Sequence, residues 1–132
     1  MTTDRLSNLM SSLKNASMAG RKDVEIFHSN ECEKVANILK EKGFLKEVKI
    51  YKPSKSTTKM IHIELESDQG VFTLTEAKRI SKPGRRIYKG SRDIKPSVGK
   101  YGVLIVSTPK GIMDSLTARK KNLGGELLCE VY

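Results

Sequence analysis

Tryptophan is absent from this chain and aromatic residues make up only 5% of it, so any core must be aliphatic and modest. Cysteine is scarce. Cys32 and Cys129 stand far apart, with no CxxC spacing and no histidine partner nearby, which excludes a disulfide framework and a zinc site and leaves two buried thiols packing as small hydrophobes. No apolar run approaches the ~18 residues of a membrane span and no h-region follows the N-terminus, so a soluble, cytoplasmic chain is expected. Met1 to Lys22 is Ser-rich, amphipathic and poor in acid, as organelle transit peptides are, but Asp4 and a folded start speak against that role. Clustered acids, a His base and metal-ligand spacings are also missing, which removes the usual apparatus of a nuclease. His28 and His62 fall on expected strands without a paired carboxylate motif.

What the chain has in excess is positive charge. The formal net charge of +10 over 132 residues points to a polyanionic partner. Its distribution is uneven: residues 1–75 carry 12 Lys/Arg against 10 Asp/Glu, a net of +2, and residues 76–132 carry 13 against 5, a net of +8. Concentration in one half raises a local potential that attracts phosphate, and nucleic acid becomes the leading partner.

Periodicity divides the chain into an α+β fold of two small units. The first, residues 1–72, has the order αβαββ. A helix over Asp4 to Ala19 carries Leu6, Leu9, Met10 and Leu13, with Thr3 as candidate N-cap and Gly20 as stop. A short strand at Val24 and Ile26 follows, then a helix capped by Ser29 or Asn30 that carries Val35, Ala36, Ile38 and Leu39 and ends before Gly43. Strands around Val48–Ile50 and Ile61–Glu66 form a hairpin across the basic stretch Lys52 to Lys59. After the Ser67 to Gly70 turn comes a mostly-β unit, residues 73–132. Its strands are expected at Val71 to Thr75, Arg86 to Lys89, Val103 to Ser107 and Glu126 to Tyr132, with one short helix at Asp114 to Lys121. "GVLIV" is continuously apolar and suits a central strand buried on both faces.

Three stretches carry polar chemistry. In Lys78 to Arg92, seven cations flank the Pro83-Gly84 turn and surround Tyr88; Arg85, Arg86 and Lys89 lie nearest this aromatic, a pairing suited to phosphate and exposed base or sugar faces. A solvated basic hairpin is the competing reading. Ser107 and Thr108 end the buried strand and Pro109 fixes its exit, so short hydroxyls and Lys110 project from a constrained loop, with Gly111 permitting close approach. Asp114 is placed to cap the helix bearing Arg119, Lys120 and Lys121, and Asn122, Gly124 and Gly125 turn the chain into the last strand with Glu126 at its mouth.

These blocks carry a resemblance. "RISKPGRRIY", "GVLIVSTPKGIM", Ala118-Arg119 and "GGELLCEVY" stand in the order and spacing of bacterial ribosomal small-subunit protein eight, and the chain resembles that family over its full length. The N-terminal half matches mainly by its element order and by "VANILKEKGFL". The resemblance implies a structural constituent of the ribosome, without catalysis or cofactor. Such a protein is a primary binder of the central domain of 16S rRNA, helping to assemble the platform of the small (30S) subunit. It places the RNA-contacting loop on Ser107, Thr108, Pro109, Lys110 and Gly111, the aromatic on Tyr88, and a second contact on Gly124, Gly125 and Glu126. Small-subunit proteins five and twelve are its implied protein neighbours. The family often has Thr-Asp where this chain has Asp114-Ser115, which shifts the helix cap.

Rival functions remain at this point. A regulator binding its own operon mRNA would use the same surface. A DNA-binding helix-turn-helix over residues 30–50 fails, because Lys46 to Tyr51 is extended in character. Bacterial and organellar ribosomes are not distinguished.

Overall fold

The computed structural model describes residues 5–53, 58–94 and 102–132. Thr3 and Asp4, and residues 54–57 of the basic stretch, lie outside the described residues.

Helix α1, Arg5–Ala19, forms where Leu6, Leu9, Met10, Leu13 and Ala16 recur at helical spacing and all become buried. Gly20, at φ +73°, ends it in a conformation that costs other residues. Strand β1, Asp23–Phe27, leads to α2, Asn30–Glu41. Ser29 is the cap: its hydroxyl accepts from the Cys32 amide at 3.1 Å, while Glu31 and Glu33 in the first turn complement the helix dipole. Strands β2, Leu45–Tyr51, and β3, Met60–Leu65, complete an antiparallel sheet of order β1-β3-β2. Extended structure at Lys46 is incompatible with the helix-turn-helix alternative.

The second half departs more from expectation. The strand anticipated at Val71 to Thr75 shrinks to a two-residue pairing, β4 at Ser67–Asp68 with β5 at Val71–Phe72. Thr75 and Glu76 instead donate their amides to the Tyr132 carbonyl, both at 2.7 Å. A strand not anticipated, β6 at Ala77–Arg79, pairs with the C-terminal strand. The strand expected at Arg86 to Lys89 is only β7, Tyr88–Lys89; Ile87 before it is tied to Ser81, whose Oγ accepts from the Ile87 amide at 2.9 Å and donates to the Ile87 carbonyl at 3.3 Å, and the same carbonyl accepts from the Leu127 amide at 2.9 Å. Strand β8, Val103–Thr108, turns tightly into another strand not anticipated, β9 at Gly111–Asp114, before α3, Ser115–Lys120, and β10, Gly125–Val131.

The second sheet runs β6-β10-β8-β9, with β7 also on β10. Its interior strand β8 is the apolar "GVLIV" run, buried on both faces as expected. Val103 and Ile105 enter the larger core cluster, which α1, α2 and both sheets share; Leu104 and Val106 face a smaller cluster with Ala118 and Ile94. Helix α1 packs on β1 and β6, and α2 on β2 and β9. Each sheet is drawn from one side of residue 72, whereas the larger cluster takes Leu9 and Leu39 from one side and Ile105 and Val131 from the other. Burial of each such side chain contributes about 1.5–3 kcal/mol.

Neither cysteine is in a disulfide, and both are fully buried. Burial pushes the Cys129 thiol up to about 12, so it stays protonated and inert.

Candidate nucleic-acid interface

Chain geometry at the end of β8 begins with a two-residue loop. Thr108 pairs with Gly111 across Pro109 and Lys110, closing β8 on β9. Proline suits the first loop position because its φ is already fixed, and Gly111 takes φ +125°, a region open to glycine. The Thr108 hydroxyl donates to the Gly111 carbonyl at 2.7 Å and accepts from the Lys110 amide at 3.2 Å. Thr108 is only 8% exposed. Its hydroxyl therefore holds the loop together, while Ser107, half-buried, faces the opposite side of the sheet.

Register brings distant residues into line. Ser107 on β8 lies opposite Glu126 on β10, and Glu126 lies opposite Tyr88 on β7. Directly opposed residues share a face, so a hydroxyl, a carboxylate and an aromatic form one row across three strands. Tyr88 is 64% exposed and offers its ring to solvent. Arg86 reaches back to this row, its Nη1 3.2 Å from Glu126 Oε2. The carboxylate is mostly sheltered and the guanidinium mostly exposed, so Glu126 orients a cation at the edge of the row.

Gly124 and Gly125 make this convergence possible. A Cβ on Gly125 would meet backbone atoms of Ser107 and Thr108, and one on Gly124 would meet backbone atoms of Lys89 and Gly90. The pair is where β7, β8 and β10 approach without side chains between them. Lys89 pairs with Gly125 in register. Arg85 stands apart, closing the Pro83-Gly84 turn through a backbone bridge to Lys82.

Helix α3 occupies the other face, with Ala118 buried against Leu104 and Val106. Asp114 caps it, accepting from the Thr117 amide at 3.3 Å and the Thr117 hydroxyl at 2.6 Å. Burial pushes the Asp114 carboxyl upward, but the Thr117 hydrogen bonds and the Lys42 charge 3.7 Å away outweigh it and hold the group below its ordinary value. Arg119 and Lys120 lie in the last turn and Lys121 at its cap, where cations suit the dipole. Asn122, at φ +55°, then leads through Leu123 to Gly124. The site residues thus divide into a polar row on one face and a cationic helix end on the other, joined at the Gly-Gly corner.

The histidines correct an expectation. His28 lies just beyond β1, its Nε2 2.7 Å from Glu33 on α2, and His62 on β3 has Asp23, Glu25 and Glu64 within 3.4–3.9 Å. Both therefore have carboxylate neighbours, supplied across strands or from the next helix. Among the described residues no group of three or more acids, histidines or cysteines is arranged to hold a metal ion, and no helix is long and apolar enough to cross a membrane.

Comparison with known proteins supports the resemblance carried by the C-terminal blocks. The chain matches the family described as Ribosomal protein S8 over residues 4–132. It is similar to the small ribosomal subunit protein uS8 of Oleidesulfovibrio alaskensis, at 39% identity over 100% of both chains. The uS8 proteins of Pelagibacter ubique, at 37% identity over 98% of both chains, and Helicobacter acinonychis, at 35% over 100% of both, are similarly related. End-to-end similarity of this kind covers the sheet, the loop and the Gly-Gly corner together: the chain belongs to the ribosomal protein S8 family and is a structural constituent of the ribosome, not an enzyme.

Proposed function

We propose that this chain binds an irregular helix in the central domain of 16S rRNA as a primary binder and helps assemble the platform of the 30S subunit. The observation that carries the reading is the row Ser107, Glu126 and Tyr88, continuous with the Lys110 loop and bordered by Arg86 and Lys89. An A-form helix hides its major-groove edges, so a protein must recognise bulges, unstacked bases and 2′-hydroxyls. Short polar groups and an exposed ring on a rigid sheet suit that task. Glu126 is compatible with it, since a carboxylate accepts from a base amino group or a 2′-hydroxyl.

The division of labour follows the charge. Residues 73–132 supply recognition through Ser107–Gly111, Tyr88 and Gly124–Glu126, and phosphate contacts through Arg85, Arg86, Lys89, Arg119, Lys120 and Lys121. Residues 1–72 support that unit and face protein neighbours, small-subunit proteins five and twelve. The setting is the cytoplasmic ribosome.

Binding of the purified protein to the central-domain helix and to a regular duplex of equal length, across a salt series, tests the reading. Selectivity that persists at high salt is expected. Equal and steeply salt-dependent binding to both would reduce the protein to a nonspecific polycation.

A further inference from the structure

The outer face of the first sheet has a composition opposite to the rest of the chain. Ile26, Ile61 and Ile63 turn inward to the core, so alternation sends their neighbours outward. Register sorts those neighbours into rows. The first is wholly acidic: Asp23, Glu64 and Glu47. The second holds Glu25, His62 and Lys49, and the third is apolar and aromatic, with Phe27, Met60 and Tyr51. Contacts confirm the shared face, since Tyr51 donates its hydroxyl to Glu25 at 2.8 Å, reaching across β3. The hydrogen bond and charge of Glu25 raise the Tyr51 pKa.

Four carboxylates against one lysine, in a chain of net +10, form a patch that repels phosphate. Their side chains remain available: Asp23 is 61% and Glu25 55% exposed. Phe27, also mostly exposed, stands at the apolar end with the Arg5 guanidinium over its ring. An aromatic and methionine row beside a charged border has the composition of a protein interface. Many solvated antiparallel sheets carry scattered polar residues, but sorting by sign and polarity along the register goes beyond that pattern.

We propose that this face docks an extended, lysine- and arginine-rich segment of a neighbouring protein, its cations on the acidic rows and an apolar side chain against Phe27 and Met60. Charge complementarity selects the occupant: proteins held on RNA carry cationic segments, and an acidic face is their complement. The proposal rests on the ribosomal reading only in taking that neighbour from the same particle, with RNA held by the other sheet.

Carboxylate footprinting tests it. Small subunits isolated from the cell, the free protein, and its complex with the central-domain RNA helix are each treated with a water-soluble carbodiimide and a small amine. Loss of labelling at Asp23, Glu25 and Glu64 in the subunit alone is expected, together with a carbodiimide cross-link from one of them to a lysine of another protein. Full labelling in the subunit, protection by RNA alone, or a cross-link to a second copy of this chain would each overturn the proposal. The variant Glu25→Lys/Glu64→Lys should lose the cross-link while keeping its affinity for the RNA helix. A failure of that helix to bind wild-type protein would count against the RNA reading and leave the footprint on isolated subunits to be judged separately.

Discussion

A Cβ on Gly125 would lie 1.9 Å from the Ser107 carbonyl oxygen. No side chain fits there unless β8 and β10 separate, and the row that includes Ser107 and Glu126 depends on their staying together. Gly125→Ala should therefore destabilise the protein by ~1–3 kcal/mol, as overpacking against backbone does. Gly84 is the control: an added Cβ meets nothing within 4 Å, so Gly84→Ala should stay within about 0.5 kcal/mol of wild type. Urea titrations of the two variants decide it, and equal midpoints would refute the argument.

Asp114 joins strand β9 to the cationic helix α3. Losing its cap in Asp114→Ala should cost about 1 kcal/mol. Its carboxyl is held below the ordinary value, so the ionised form stabilises the fold above the unfolded-state pKa, and this contribution disappears as pH falls through the folded value. Wild type should thus lose more stability than Asp114→Ala on acidification below the ordinary carboxylate range. Parallel pH-stability curves would show that the cap does not titrate this way.

Ser107 and Lys120 should separate recognition from attraction. Ser107→Ala is expected to weaken the central-domain helix by ~1–3 kcal/mol and leave an unrelated duplex unaffected. Lys120→Ala should weaken all RNAs alike and flatten the salt dependence. Thr108→Ala should also weaken the central-domain helix, but through the loop that its hydroxyl holds, so it should lower stability as well. Salt-series binding isotherms distinguish these outcomes; an unchanged slope for Lys120→Ala would remove its phosphate role.

Glu126 and Arg86 offer a test of positioning. A partly exposed ion pair contributes at most about 1 kcal/mol to stability, so Glu126→Ala should unfold near the wild-type midpoint. Freed from the carboxylate, Arg86 should bind a regular duplex at least as well while affinity for the cognate helix falls. A double-mutant cycle with Arg86→Ala on cognate binding should be non-additive. Additivity would mean that the two side chains act independently.

Local patterns explain what the sequence revealed. Helix α1 was legible because Leu6, Leu9 and Leu13 repeat within one segment, and β8 because its apolar run is continuous. Strands β6 and β9 were not: Ala77 is the single apolar residue of Ala77–Arg79, and Gly111–Asp114 has no clean alternation. Strand β6 forms because β10, distant in sequence, offers unpaired backbone groups, which is a tertiary cause, and β9 because the Pro109-Lys110 turn folds it back onto β8. Motif spacing marked the stretches of the candidate site, but the row Tyr88, Glu126 and Ser107 depends on nonlocal register. The inward use of the Thr108 hydroxyl and the carboxylates around His62 were hidden for the same reason.

Strand β8 sends Val103 and Ile105 into one core cluster and Leu104 and Val106 into the other. Releasing it would expose both clusters at once, so it has no inexpensive local opening. Its central amides should exchange with solvent only through unfolding of the whole chain. The hydroxyl-bearing loop at its end is thereby anchored to backbone that should be among the slowest to exchange, so that its shape is set by the fold itself.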